Sequence, residues 1–372
     1  MPYNHLTLKT LQLTNFKNYS QAELELSQKL NCFVGDNGMG KTNLLDAIHT
    51  LCLAKSHFLS SDQNLVKTDE TFFRLEAVFE RAGEQEEIVV KYKLRGKKQL
   101  ERNRIAYKKI SEHIGLLPLV IIAPDDIQLI LDGSEERRKY LDLSLVQLDP
   151  EYTKALMLYN QILEQRNALL RHSDDKNLPD TALLDYYDSQ LIEPANYIHL
   201  KRKALCEKIA PLFQKAYAAI SSERETVEMR YNSQLDNADF VQLLSDYRSR
   251  DILLQRTNKG IHKDDLELMM KNQPLKRFAS QGQLKSFLLA MKLAQYELLR
   301  DILGIYPILL LDDIFDRLDP GRVKQLLEML LKGDFGQVFL TDTHEKRVSE
   351  LVNMLELKDA KIFLVEEGAI ML

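Results

Sequence analysis

Apolar residues alternate with polar ones at the start of the chain, at Leu6 and Leu8, at Leu11 and Leu13, and again at Ala22, Leu24 and Leu26. A period of two puts one set of side chains on one face of an extended chain. The spacing therefore predicts strands joined by a turn over residues 15–20. A short apolar run at 30–34 predicts a further strand. A glycine-rich loop follows it, and then an apolar-periodic helix at 42–53. Segments 72–79, 88–94 and 100–107 read as an antiparallel meander with Gly96 in its second turn. Residues 116–123 form a buried strand ended by Pro124, with helices over 125–147.

From Pro150 to about residue 251 the pattern is helical and charged, broken at 172–180 and by a short strand at 227–231. An α/β alternation then resumes: a helix at 282–303, a strand at 308–312, a helix from near Pro320, a strand at 338–341, a helix from Glu345, and strands at 361–365 and 369–372. The expected fold class is α/β. It is a mixed sheet with an antiparallel β subdomain, carrying an inserted helical domain. The boundaries are 1–149 for the first part of the head, 150–258 for the insertion and 259–372 for the second part.

Composition narrows the classes. The chain has 372 residues, 45% of them hydrophobic, enough for a sizeable core. No apolar run is long enough to cross a bilayer. Residues 1–10 mix polar and apolar side chains and do not resemble a signal peptide. Cys32, Cys52 and Cys206 have no metal-like spacing, and together these features give the expectation of a reduced, cytoplasmic protein. The net charge of −5 does not by itself favour nucleic acid, so any phosphate-binding surface must be a local patch. One stretch fits: Lys91, Lys93 and Arg95 alternate, as do Arg102 and Arg104. Period two would give each set a single face suited to DNA phosphates, or simply a solvated sheet face. Lys201, Arg202 and Lys203 form a second, weaker candidate.

Gly35-Asp36-Asn37-Gly38-Met39-Gly40-Lys41-Thr42 fits the phosphate-loop pattern, in the order strand, loop, helix that the motif requires. Backbone N–H groups would cradle phosphate, Lys41 would reach the β- and γ-phosphates, and the Thr42 hydroxyl would face Mg²⁺. ATP and GTP are not distinguished by this loop. The apolar strand ending in Asp312-Asp313 would deliver Asp312 to the Mg²⁺ side. Strand alternation would put Asp313 on the opposite face, to orient or deprotonate the attacking water. Ser280-Gln281-Gly282-Gln283 opens a helix. It reads as a helix cap, as an anion site completing the nucleotide pocket of a second subunit, or as both. Asp316–Asp319 resembles the loop through which ABC-type subunits touch across their dimer. His344 is either a γ-phosphate sensor or a plain neighbour of a helix start.

These motifs resemble an ABC-type P-loop ATPase head, and ordered blocks along the chain resemble the RecF family. The blocks are the opening Leu11-Gln12-Leu13-Thr14-Asn15-Phe16-Lys17-Asn18-Tyr19, and Asn37 to Ile48, which includes Asn43. Further on come Ala123-Pro124-Asp125-Asp126 followed by Gly133-Ser134 and Arg137-Arg138-Lys139-Tyr140-Leu141-Asp142, then His262-Lys263-Asp264-Asp265-Leu266, and Lys276 to Gln283. The resemblance implies a cytoplasmic ATPase using ATP and Mg²⁺, with slow, DNA-stimulated hydrolysis. It implies dimerisation on ATP, binding to duplex DNA at gaps or junctions, and help for RecR and RecO in loading RecA during repair. Met39 stands where the family has Gln, Arg317 where it has Glu, and Lys285 where Arg is common. The proline expected after Ser134 is missing. The alternative is another ABC system, a transport ATPase or an SMC-like chromosome protein. The first normally carries L-S-G-G-Q and lacks this insertion, and the second needs far more coiled coil.

Overall fold

The computed structural model describes residues 3–172, 179–221, 225–314, 335–354 and 357–371. The chain divides into two compact units. One is Met1–Asp126 with Ala219–Ser222 and Lys285–Leu372, and the other is Ile127–Ala218 with Glu223–Leu284.

The first unit is built on two six-stranded sheets. The core sheet has the order β15-β14-β3-β13-β12-β8. Its strands are β3 (Leu30–Val34), β8 (Leu119–Ile122), β12 (Ile308–Leu311), β13 (Val338–Asp342), β14 (Ala360–Glu366) and the edge strand β15 (Ala369–Met371). All pairings are parallel except β14 with β15. Parallel strands covered on both faces read as unbroken apolar runs, and β3, β8 and β12 are buried at every residue. Helix α1 (Lys41–Leu53) follows β3 and is buried almost throughout.

The second sheet of this unit is an antiparallel series, β2-β1-β4-β5-β6-β7. It contains β1 (Leu6–Phe16), β2 (Tyr19–Glu25), β4 (Phe72–Arg81), β5 (Glu84–Lys93), β6 (Gln99–Arg102) and β7 (Ile105–Ala106). The alternating Leu11 and Leu13 are fully buried, as period two requires. The first turn is tighter than expected: β1 runs to Phe16, leaving only Lys17 and Asn18 between the strands. Gln337 ties the two sheets together from a buried position. Its carbonyl accepts from Leu8 N at 2.7 Å, and its amide donates to Leu8 O at 2.9 Å and Ser27 O at 2.7 Å.

The expected third strand of the meander, 100–107, is instead a hairpin. Asn103 and Arg104 both adopt positive φ, 51° and 66°, the geometry of a two-residue hairpin turn. This changes the basic face. Arg102 ends β6 and pairs with Glu86, Arg104 sits in the turn near Glu87 at 3.3 Å, and Lys91 pairs with Glu101 at 2.8 Å. Arg95 lies beyond the end of β5 with φ 62°, so the Lys91, Lys93, Arg95 alternation stops at Lys93. Among the described residues, Lys93 and Arg95 are exposed and enter no ion pair.

The second unit holds α2 (Gln128–Leu131), α3 (Ser134–Leu148), α4 (Pro150–Arg171), most of α5 (Thr181–Ser221), α6 (Phe240–Leu254) and α7 (Leu275–Phe278). It also carries a three-stranded antiparallel sheet, β11-β10-β9, from β9 (Val227–Asn232), β10 (Asp265–Met270) and β11 (Gln273–Pro274). The unit is wider than the insertion expected at 150–258, because α3 is bound to the start of β10. Arg137 holds both carboxylate oxygens of Asp265, at 2.6 and 3.0 Å, and Arg138 donates to Asp264 O at 2.7 Å. Nor is Lys201–Lys203 an open basic patch. Arg202 is buried against Asp142 and Asp264, while Lys201 and Lys203 pair with Asp149 and Asp236.

Helix α8 (Gln281–Leu303) leads towards β12, and α9 (Glu345–Met354) follows β13. Asp316–Asp319 and the helix expected near Pro320 lie outside the described residues. No described helix is long and apolar enough to cross a membrane. The three cysteines are buried and unpaired, and burial pushes the Cys206 thiol up to about 12.

Candidate nucleotide site

In a parallel sheet, side chains that leave the carboxyl ends of neighbouring strands converge at one edge. Here β3, β13 and β12 are consecutive neighbours, so their C-terminal connections share that edge. The loop 35–40 leaves β3, Asp312 and Asp313 leave β12, and Thr341 to His344 close β13.

The loop needs its glycines for different reasons. Gly35 has φ 150°, and a Cβ there would lie 2.3 Å from the Val365 carbonyl oxygen. Gly40 has φ 113° at the start of α1, and its Cβ would meet the Asn18 side chain at 2.4 Å. Gly38 has open space around it and is needed only for its φ of 83°. No side chain caps α1, and Asn43 N already donates to Gly40 O at 3.0 Å, so the N–H groups of Lys41 and Thr42 are the ones left to face an anion. Asp36 and Asn37 are exposed on the loop, and Lys41 is 4% exposed with its ammonium across the loop. Its Nζ donates to Gly35 O at 2.7 Å and Asp36 O at 2.8 Å.

The opening motif braces this loop from outside. Asn18 donates to Met39 O at 3.0 Å and accepts from the Asn43 amide at 2.8 Å, and the Tyr19 hydroxyl donates to Gly40 O at 3.1 Å. Gly368 N donates to Met39 O at 3.2 Å. Asn18 and Tyr19 are absent from the expected site residues. Their place beside two strand ends was the available signal.

Thr42 and Asp312 meet as expected, 270 residues apart in sequence: the hydroxyl donates to the carboxylate at 2.9 and 3.1 Å. Thr341 donates to the same carboxylate at 2.8 Å. Burial raises the Asp312 carboxyl above its usual range, and the neighbouring Asp313 adds to this against the two hydroxyls. A buried carboxylate beside a threonine hydroxyl, with its charge poorly compensated, is the environment a hard cation corrects. Among the described residues no cluster of three or more metal-ligating side chains exists. The oxygen donors of Thr42 and Asp312 fit a hard cation such as Mg²⁺.

Asp313 is not on the opposite face. Strand β12 ends at Leu311, and Asp313 follows it with φ 43°, so alternation no longer governs its direction. Its amide donates to Thr341 Oγ1 at 2.9 Å, and the Thr341 hydroxyl lies 3.5 Å from its carboxylate. One threonine thus holds both acids. His344 is exposed, and its Nδ1 lies 2.6 Å from Thr343 Oγ1. Its amide caps on Asp342 at 2.9 Å, and Asp342 is also bound by Arg347.

Ser280 and Gln283 belong to the second unit and form a reciprocal cap at the start of α8. Ser280 N donates to Gln283 Oε1 at 2.6 Å, and Gln283 N donates to Ser280 Oγ at 3.3 Å. Ser280 and Gln281 are exposed, and Gly282 is partly so.

A family model described as the RecF/RecN/SMC N terminal domain matches residues 7–365. A DNA replication and repair protein RecF from Flavobacterium johnsoniae is 45% identical over 345 residues, 93% of this chain and 96% of the relative. One from Parabacteroides distasonis is 42% identical over 365 residues, 98% of this chain and 99% of the relative. Among solved structures, the recombination mediator protein RecF-ATP in the RecFOR pathway superposes with a TM-score of 0.88 at 28% identity, covering 99% of this chain and 98% of that one. The Smc head domain from Pyrococcus furiosus, at 17% identity and a TM-score of 0.55, shares the fold. With an ABC-type ATPase fold and relatives matched along nearly its whole length, the chain belongs to the RecF family of DNA replication and repair proteins.

Proposed function

We propose that this protein is an ATP-dependent DNA-binding protein of recombinational repair, in which ATP closes two copies onto DNA and slow hydrolysis releases them. The observation that carries the reading is the Thr42–Asp312 contact beside the glycine loop, with Asp313 held by the same Thr341. In this scheme Lys41 and the loop amides bind the β- and γ-phosphates. Thr42 and Asp312 would hold Mg²⁺, whose charge would offset that of the phosphates. Asp313 takes the proton of the attacking water. Ser280–Gln283 of each subunit meets the nucleotide bound by the other. The name RecF-ATP of the solved relative supports ATP as the nucleotide, and its mention of the RecFOR pathway supports RecR and RecO as partners; loading RecA at gaps is the task this reading gives them.

ATP favours the closed pair because only the triphosphate presents a γ-phosphate to the second subunit. If closure also encloses DNA, linkage requires DNA to raise ATP affinity by the factor with which ATP raises DNA affinity.

Of the five basic candidates for DNA contact, Lys93 and Arg95 are the ones this reading favours, because Lys91, Arg102 and Arg104 already have acidic partners. Fluorescence anisotropy with a gapped duplex tests both points. Binding is expected with ATP and not with ADP, and to weaken steeply with salt. Lys93→Glu with Arg95→Glu should weaken it about tenfold or more, uniformly across sequences, as loss of phosphate contacts does. Unchanged affinity in that double variant would remove this surface from the account.

A further inference from the structure

The signature segment Ser280–Gln283, so called for its likeness to the ABC-type motif, is held by a carboxylate that the nucleotide scheme does not use. Glu225 stands just ahead of β9, and β9 pairs with β10 so that Val227 lies opposite Met270. Lys271 N donates to Thr226 O at 3.0 Å. Lys271 and Asn272, with φ 50° and 61°, form the two-residue turn into β11, which runs directly into α7 and then Ser280. The sheet thereby brings Glu225 to the start of α8. There its Oε1 accepts a hydrogen bond from the Gln283 side-chain amide. The buried Tyr217 donates its hydroxyl to Oε2 at 2.8 Å, and Lys271 Nζ lies 3.8 Å from Oε1.

The chemistry of the three groups fixes an orientation. An ionised carboxylate only accepts, so it takes the NH₂ end of Gln283. The carbonyl end of the same amide is then turned to the Ser280 N–H, 2.6 Å away. Gln283 N in turn occupies Ser280 Oγ as an acceptor, which leaves the hydroxyl proton to be donated outward from an exposed position. A glutamine with two flexible ends becomes a fixed strut, and Ser280 is set in one arrangement before any partner arrives.

We propose that Glu225 is a positioning residue for the signature: it fixes Gln283, and through it Ser280, for the phosphate bound by a second copy of this chain. This rests on the reading that Ser280 acts across the dimer. Glu225 touches no nucleotide in this scheme, and every group that holds ATP within one chain lies in the first unit.

The test is ATP-driven dimerisation by sedimentation, alongside ATP affinity measured at protein concentrations where only monomer exists. Glu225→Ala is expected to raise the ATP concentration for half-dimerisation about tenfold, the effect of losing a hydrogen bond to a charged group, with monomer ATP affinity unchanged. Glu225→Gln keeps an acceptor and is expected to restore dimerisation, which a role in charge alone would not give. Should Glu225→Ala fail to fold, Tyr217→Phe carries the test. It removes only the hydroxyl that aims the carboxylate, and a rise in half-dimerisation supports the proposal while none overturns it. Ser280→Arg is the control. If it abolishes dimerisation while Glu225→Ala dimerises as the parent does, the positioning role is wrong and the cross-dimer reading stands. If Ser280→Arg dimerises normally, both fall.

Discussion

Asp313→Asn is expected to bind ATP and dimerise while losing hydrolysis by about a hundredfold or more, the usual size of a general-base contribution. The substitution is well matched to the site. Asp313 sits at φ 43°, and asparagine visits that left-handed region as readily as aspartate. Its backbone bond to Thr341 Oγ1, 2.9 Å, does not involve the side chain and survives. The Thr42–Asp312 contact is likewise untouched, so nucleotide and Mg²⁺ binding should stay within about threefold, a margin below one hydrogen bond. Single-turnover phosphate release is the measurement. Hydrolysis at the parent rate would remove Asp313 from its assigned role.

Lys41→Ala is expected to fail one step earlier. The ammonium is 4% exposed and lies 2.7 and 2.8 Å from two loop carbonyls, so it is already placed over the loop's centre. Truncating one member of a buried, hydrogen-bonded charge pair costs about 2–5 kcal/mol, so ATP affinity should fall by about thirtyfold to several thousandfold. The loop should keep its shape, because that is set by Gly35, Gly38 and Gly40 and braced by Asn18 and Tyr19. Calorimetric titration with ATP checks this, and affinity within threefold of the parent would contradict the role given to Lys41. The two variants therefore separate binding from chemistry: one loses the dimer with the nucleotide, the other keeps both.

Much of the head was legible because its signals are local. The run 30–34 gives β3 to the residue, and the glycine spacing of 35–40 marks a loop whose φ values and close approaches only glycine satisfies. The Thr42–Asp312 meeting followed from placing a strand-end acid in a parallel sheet. What was not legible lies where regular periodicity stops. Alternation predicts opposite faces for Asp312 and Asp313, but β12 ends one residue before the pair, and a left-handed residue brings both to Thr341. Residues 100–107 look like one strand because Asn103-Arg104 contains no glycine, yet both residues take the turn conformation. The same turn sends Arg102 and Arg104 to Glu86 and Glu87, a pairing that composition cannot show. β10 has no counterpart among the expected elements, although Leu266, Leu268 and Met270 alternate into the core. Its first residue, Asp265, is claimed by Arg137 from 128 residues away, and long-range pairs of this kind leave no mark on local pattern.

The central claim is that a triphosphate is gripped by two copies of this chain at once. Its most direct test is the structure of the Asp313→Asn protein loaded with ATP and Mg²⁺. The account predicts a two-fold dimer in which the Ser280 hydroxyl of one subunit lies about 3 Å, hydrogen-bonding distance, from the γ-phosphate held by Lys41 of the other. A γ-phosphate enclosed by one chain alone, with residues 280–283 of every neighbour far from it, would contradict it.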